Sequence, residues 1–158
     1  MPSRVPFYFV DVFATSPLTG NPLSLVPDAD GLDEAQMRAI AREFNQSETT
    51  FLLRPSLPEA TLRLRSFTLA GAEVGGAGHN ALGAWLWLEA AGRLASAAAG
   101  RGLRQEIAGQ VLPVTRIWEP SAETQPIAGS ANPRTMVLSA CGSSAIDASE
   151  NTTISLVA

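Results

Sequence analysis

A glycine-rich stretch that opens directly into a long apolar segment constrains the fold of this chain more than any other feature. Residues 70–78 (AGAEVGGAG) hold four glycines and are predicted to form no regular structure. Residues 79–94 then place apolar side chains at helical spacing, through Leu82 and Trp85, which predicts a helix with one heavily buried face. The other elements of the fold therefore have to cover an apolar helix.

Most other segments before residue 119 are predicted to be strands. In residues 61–67 leucines alternate with arginines, which is typical of a half-buried strand. A first helix is expected to begin in the acidic segment 30–34, to continue through Phe44 and to end at Asn45. The order β-β-α-β-β-α-β-β favours an α+β fold over a parallel α/β fold. The remaining strands are predicted at 7–13, 23–26, 51–53, 105–108 and 111–118, the last two as a hairpin with a Gly-Gln turn.

Composition excludes several functional classes. All eleven basic side chains are arginines, so lysine Schiff-base chemistry and the lysine-dependent phosphate loop are unavailable. The net charge of -4 argues against a nucleic-acid partner. No apolar run is long enough to span a membrane, and no targeting segment is visible, so a cytoplasmic protein is expected. With Cys141 as the single cysteine, an internal disulfide is excluded, and with His79 as the single histidine, a zinc site of the His/Cys kind lacks ligands.

The composition changes after Glu119. Residues 121–158 contain seven serines, seven alanines and four threonines but only four charged side chains. We therefore expect one domain at 1–119 and a divergent, weakly structured tail at 120–158.

Ser47-Glu48-Thr49-Thr50 is the first candidate for chemistry. A carboxylate among hydroxyl residues, between a helix and a strand, could take and return a proton at the edge of an apolar site. The alternative is a solvated glutamate in a helix-to-strand connection.

The glycine-rich segment that precedes His79 is the second candidate. Backbone N–H groups at a helix N-terminus suit a carboxylate or a phosphate. The alternative is that glycines merely permit a turn and that His79 caps the helix. Gly76, Gly78 and Ala81 also match the loose dinucleotide fingerprint, but the acidic residue expected about 20 residues later is absent. A third candidate is Asn21, whose amide a turn could aim into a cleft, although turn chemistry alone explains its place.

Four motifs, read together and in order, resemble the PhzF-like phenazine-biosynthesis family of isomerases. The resemblance covers residues 5 to about 117, and the order and spacing of the motifs make chance agreement improbable. The motifs are FVDVF at 9–13, TGNPL at 19–23, IAREFNQSETTF at 40–51 and GAGHNALG at 76–83.

This resemblance implies a diaminopimelate epimerase-like fold, in which a mixed or antiparallel barrel-like sheet wraps around a central helix. It implies that Glu48 is the general acid/base that moves a proton between carbons of a small unsaturated acid. His79 is implied to bind substrate or relay a proton. The residues expected to bind the acidic substrate are Asn21, Ser47, Gly78 and Asn80.

The resemblance also implies a second domain that completes the cleft, and nothing after Trp118 resembles one. We therefore expect the chain to be the N-terminal half of such an isomerase, whose activity as a truncated chain is in question. The competing reading is a non-catalytic module that binds a small acid or a protein partner. A two-fold homodimer is one expected assembly.

Overall fold

The computed structural model describes residues 5–14, 18–94, 102–118, 136–139 and 153–157. Within these ranges the chain forms nine strands and two helices. The helices are α1 (Glu34–Phe44) and α2 (His79–Ala90). The strands are β1 (Tyr8–Ala14), β2 (Asn21–Val26), β3 (Glu48–Leu53), β4 (Leu62–Thr68), β5 (Glu73–Val74), β6 (Leu103–Ile107), β7 (Gln110–Trp118), β8 (Met136–Ser139) and β9 (Thr153–Val157).

The strands pair in the order β8-β7-β6-β4-β3-β2-β1-β9, with β5 on β4. Two neighbouring pairs, β2 with β3 and β4 with β6, are parallel, and the other pairs are antiparallel. No pairing between described residues joins β8 to β9, so the sheet is open rather than closed into a barrel. The predicted α+β class is confirmed, and its sheet is mixed.

The two helices pack on opposite faces of the sheet, and each has its own core. On one face α2 packs against alternate side chains of the strands, among them Val10, Leu23 and Leu52. On the other face α1 packs against Val26 and Phe51. Period-2 alternation along each strand therefore decides which helix a side chain meets.

Helix α1 has the ends that the sequence predicted. Asp33 and Gln36 form a reciprocal capping box at its N-terminus. Asn45 ends the helix in the left-handed conformation, with its backbone N–H bonded to the Ala41 carbonyl. The expected acidic start and the expected end at Asn45 are confirmed.

Helix α2 differs from its prediction in length and in burial. It ends at Ala90 rather than at residue 94, and every residue from 80 to 88 is buried. The single buried face that helical spacing predicted is therefore wrong, because small or apolar side chains occupy the whole circumference. The burial agrees with the central helix that the family resemblance implied. Trp85 and Trp87 are both core residues as a result.

Two further predictions need correction. Residues 70–78 are not wholly irregular, because Glu73 and Val74 form the short strand β5. The hairpin between β6 and β7 turns at Ala108 and Gly109 rather than at a Gly-Gln pair. Both turn residues have positive φ, of 49° and 75°, as a tight two-residue hairpin turn requires.

Residues after 119 contribute β8 and β9, which pair with β7 and β1. The rest of the predicted tail, including Cys141, lies outside the described residues. The boundary at residue 119 stays a prediction. Among the helices that the structure describes, neither has the length and the apolar content needed to cross a bilayer.

Candidate active site

Glu48 is the first residue of the central strand β3. Its neighbours along one face of this strand, Thr50 and Leu52, point toward α2, so strand alternation turns the Glu48 side chain to the same face. The side chain is 19% exposed. Glu48 is therefore not the solvated loop residue that the alternative reading described.

His79 is the first residue of α2, and it lies against Glu48. The imidazole Nδ1 is 3.9 Å from Glu48 Oε2, and the His79 side chain is 13% exposed. This distance is too long for a hydrogen bond and short enough for an ion pair when the imidazole is protonated. The alternative in which His79 caps the helix is wrong, because the N-cap residue is Gly78 and the N-terminus of α2 has no side-chain capping hydrogen bond.

Two polar atoms of this pair are buried without a hydrogen-bond partner. Within the described part of the chain, nothing bonds to Glu48 Oε2 or to His79 Nε2. Buried polar atoms are nearly always paired in proteins, and unpaired ones are concentrated where a ligand, a water molecule or a reacting group completes them. The pair therefore offers one acceptor on a carboxylate and one imidazole nitrogen to a small molecule.

Asn80 is buried beneath the glycine-rich loop and makes three hydrogen bonds. Its Oδ1 accepts from the Gly78 N–H at 2.7 Å, and its Nδ2 donates to the Gly76 carbonyl and to Ser66 Oγ, both at 3.1 Å. The carboxamide is thus engaged inside the protein. The substrate contact that the sequence predicted for Asn80 stays a prediction.

The other predicted binding residues lie at the same end of the sheet. Ser47 immediately precedes β3, and Asn21 begins β2. Because β2 and β3 run parallel with Ser24 opposite Thr49, the two strands start at the same end of the sheet. Ser47 and Asn21 are exposed, whereas Gly78 is half-buried and its N–H is bonded to Asn80. Their roles as ligand contacts also stay predictions.

Sequence reasoning missed Ser66 as part of this region. Ser66 Oγ lies 2.9 Å from Thr50 Oγ1 and accepts from Asn80, and its residue is only 3% exposed. Leu62, Leu64 and Ser66 occupy the same face of β4, so a polar residue stands where the alternation calls for an apolar one. That break in the pattern was the signal available in the sequence.

A charge network on the opposite face holds the strand that leads into the glycine-rich loop. Arg65 of β4 bonds Glu73 of β5 through two nitrogens, each at 2.7 Å, and also bonds Glu34 of α1. Hydrogen bonds from Arg65 lower the pKa of Glu73 and of Glu34. Arg38 donates to the Gly71 carbonyl in the turn between β4 and β5. These contacts fix the start of the segment that carries His79.

No cluster of three or more His, Cys, Asp or Glu side chains suited to a metal ion occurs among the described residues. The chemistry that the described pair can support is proton transfer by a carboxylate, assisted by an imidazole.

Comparison with known proteins places these features in context. The sequence model of a family described as phenazine biosynthesis-like protein matches residues 10–132. An uncharacterized isomerase of Mesorhizobium japonicum is 49% identical over 77 residues, which are 49% of this chain and 25% of that protein. A trans-2,3-dihydro-3-hydroxyanthranilate isomerase of Pseudomonas chlororaphis is 46% identical over 78 residues, 49% of this chain and 27% of that protein.

Solved structures agree with this match. A phenazine biosynthesis protein of the PhzF family from Bacillus anthracis superposes with a TM-score of 0.64 and 32% identity, over 73% of this chain and 37% of that one. A predicted epimerase from Pseudomonas aeruginosa gives a TM-score of 0.58 and 35% identity, over 75% and 40%. The expected fold is thus confirmed. The matched segment spans about a quarter of the length of the curated relatives.

Proposed function

The chain belongs to the phenazine biosynthesis-like protein family, and from this premise we propose that it carries the proton-transferring residues of a cofactor-free isomerase. The proposed substrate is a small unsaturated acid. The observation that carries the proposal is the Glu48–His79 pair, with 3.9 Å between Oε2 and Nδ1 and an unpartnered buried atom on each side chain. The two relatives described above are named as isomerases, which supports the same reaction class.

In the proposed reaction the Glu48 carboxylate removes a proton from a saturated carbon next to the double bond. The carbon–hydrogen bond breaks, its electron pair forms a new double bond, and the original double bond shifts its electrons to the far carbon. Glu48 then returns the proton to that far carbon. The reaction therefore moves one proton and one double bond and needs no oxidant, reductant or metal.

His79 has a separate proposed role. Its Nε2 is placed to hold a polar atom of the substrate while Nδ1 faces Glu48, so one imidazole can orient the substrate beside the base. The acidic end of the substrate is proposed to bind at Asn21, Ser47 and Gly78. Asn21 and Ser47 are exposed at the end of the sheet where β2 and β3 start. A homodimer is proposed as the assembly, and neither nucleic acid nor a membrane is a proposed partner.

Incorporation of solvent deuterium tests the proposal. The protein is incubated in D2O with trans-2,3-dihydro-3-hydroxyanthranilate and with a panel of other small unsaturated acids, and proton NMR follows exchange at carbon. The Glu48→Gln variant keeps the size of the side chain and removes the base, so we expect exchange to fall by about 10²- to 10⁴-fold. Glu59→Gln, at an exposed position in the connection between β3 and β4, is the matched control and is expected to exchange as the wild type.

Exchange that persists in Glu48→Gln would overturn the assignment of the base. The alternative function is a non-catalytic module that binds a small acid at the same atoms. Saturable binding of an acid from the panel, lost in His79→Ala but unaccompanied by exchange in the wild type, would favour that alternative.

A further inference from the structure

Three buried polar side chains link the strand that carries Glu48 to the loop that carries His79. Thr50, Ser66 and Asn80 are 0%, 3% and 3% exposed, and they lie between the sheet and α2. Thr50 Oγ1 is 2.9 Å from Ser66 Oγ, and Ser66 Oγ accepts from Asn80 Nδ2 at 3.1 Å. Burying polar groups costs free energy unless they are paired, and this set is paired internally.

Asn80 extends the chain of hydrogen bonds into the glycine-rich loop. Its carboxamide makes two hydrogen bonds to the loop backbone: Oδ1 accepts from the Gly78 N–H, and Nδ2 donates to the Gly76 carbonyl. Glycines have wide conformational freedom, so this loop needs an external restraint to hold one path. His79 lies between Gly78 and Asn80 in the sequence, so the restraint acts on the residues directly before and after it.

The other end of the network is fixed next to Glu48. Thr50 lies two residues along β3 from Glu48 and on the same face of the strand. Ser66 lies opposite Thr50 on β4. The network therefore ties the backbone beside the carboxylate to the backbone beside the imidazole.

We propose that Thr50, Ser66 and Asn80 form a positioning network that sets the separation of Glu48 and His79. The proposal rests on the proposed function insofar as that pair transfers the proton. Asn80 is then a positioning residue, and its engaged carboxamide accounts for its burial better than a direct contact with substrate does.

The single histidine of the chain makes the test direct. Protein labelled with ¹⁵N-histidine gives the signals of one imidazole, that of His79. At fixed pH, Glu48→Gln is expected to shift the His79 ¹⁵N resonances, because it removes the charge 3.9 Å from Nδ1. The size of this shift reports how closely the two side chains are held together.

The same shift is then measured in variants of the network, as a double-mutant cycle. In the Ser66→Ala, Asn80→Ala and Thr50→Val backgrounds, the response of His79 to Glu48→Gln is expected to fall by about half or more. Thr49→Val is the matched control, because Thr49 lies between Glu48 and Thr50 on β3 and is 0% exposed. Its hydroxyl makes no hydrogen bond within the described part of the chain. Its response is expected to equal that of the wild type.

An equal response in every background would overturn the proposal, as would the absence of any response in the wild type. Thr50→Val is nearly isosteric, so it keeps the test decisive if Asn80→Ala does not fold. Near-ultraviolet circular dichroism of the tryptophans reports folding in each variant.

The exchange assay separates this proposal from the proposed function. If both hold, Ser66→Ala lowers kcat by about 10- to 100-fold with little change in KM, since the bound geometry is loosened rather than the binding groups removed. If Glu48→Gln keeps exchange while the NMR response still depends on Ser66, the proposed function fails and the positioning network stands. If exchange is lost in Glu48→Gln and the NMR response ignores Ser66, only the positioning network fails.

Discussion

Gly83 lies so close to Leu23 that a β-carbon added to it would sit 2.6 Å from Leu23 Cδ2. The same β-carbon would lie 2.9 Å from Val12 Cγ2. At this position α2 contributes no side chain of its own, so its backbone packs directly on the side chains of β1 and β2. This close approach seats the helix on the sheet one turn after His79, and it depends on a glycine at that position.

Gly83→Ala is expected to lower the free energy of unfolding by up to about 2 kcal/mol. Alanine favours a helix over glycine by about 1 kcal/mol, but overpacking a full core costs about 1–3 kcal/mol. Thermal or urea unfolding measures the change. Gly76→Ala is the control, because a β-carbon there meets nothing within 4 Å. A gain in stability from Gly83→Ala would contradict the close approach, and Leu23→Val is expected to relieve part of the loss.

The buried hydrogen bond between Trp85 and Gln105 is expected to stabilise the packing of α2 on β6. Trp85 Nε1 donates to Gln105 Oε1 at 2.7 Å, and both residues are at most 2% exposed. Gln105→Met keeps the length of the side chain but leaves the indole N–H unpaired, at a cost of about 1–3 kcal/mol. Chemical denaturation followed by tryptophan fluorescence measures the loss.

Trp85→Phe combined with Gln105→Met serves as the control for that bond. With neither polar partner present, the double variant is expected to lose less than the sum of the two single variants. Strict additivity would show that the bond contributes nothing of its own.

Acid is expected to weaken the fold partly through Glu106. Burial raises the pKa of this carboxyl, but hydrogen bonds from Ser56 and Leu57 and the nearby Arg63 guanidinium outweigh it, so the net pKa is lowered. A lowered folded pKa means that the stabilisation is present above the unfolded value of about 4.3 and is lost as the pH falls through the folded value.

Glu106→Gln is therefore expected to flatten the loss of stability below about pH 4.3. At neutral pH the same variant is expected to lose about 1–3 kcal/mol, because it exchanges charge-assisted hydrogen bonds for neutral ones. Ser56→Ala keeps the carboxylate but removes one donor, so it is expected to move the acid transition to higher pH. Urea unfolding across a pH series measures both effects, and an unchanged pH profile in Glu106→Gln would contradict the assignment.

Replacing Arg65 by lysine is expected to lower the free energy of unfolding. Its side chain, 16% exposed, bonds both oxygens of Glu73, bonds Glu34 and stacks 5.1 Å above the Phe67 ring. A single ammonium cannot reproduce this geometry, so Arg65→Lys is expected to cost about 1–2 kcal/mol although the charge is kept.

Arg54→Lys is the matched control for Arg65→Lys. Arg54 is 85% exposed and pairs only with Asp30 among the salt bridges of the described residues, so its replacement is expected to cost less than about 0.5 kcal/mol. Calorimetry at low salt compares the two variants. Equal losses would show that guanidinium geometry is unimportant at Arg65.

Local signals in the sequence predicted elements whose causes are local. The capping box and the left-handed Asn45 depend on neighbours within a few residues, so the ends of α1 could be predicted. Strand β5 could not, because two residues carry no periodicity and pairing with β4 alone defines it. Helical spacing alone did not predict the all-round burial of α2, since spacing marks a buried face only where an opposite polar face exists; the family resemblance, with its central helix, did imply it.

The sequence by itself determined which chemical groups are available. The four motifs pointed to Glu48 and His79, and a chain with one histidine and no lysine left few other choices for proton transfer. Only the tertiary structure decided how these groups meet. Thirty-one positions separate the two residues, and their approach to 3.9 Å depends on α2 lying across β3 and on the bonds from Thr50 through Ser66 to Asn80. Such contacts join distant segments, so no local pattern encodes them, and the packing of the whole sheet sets their geometry.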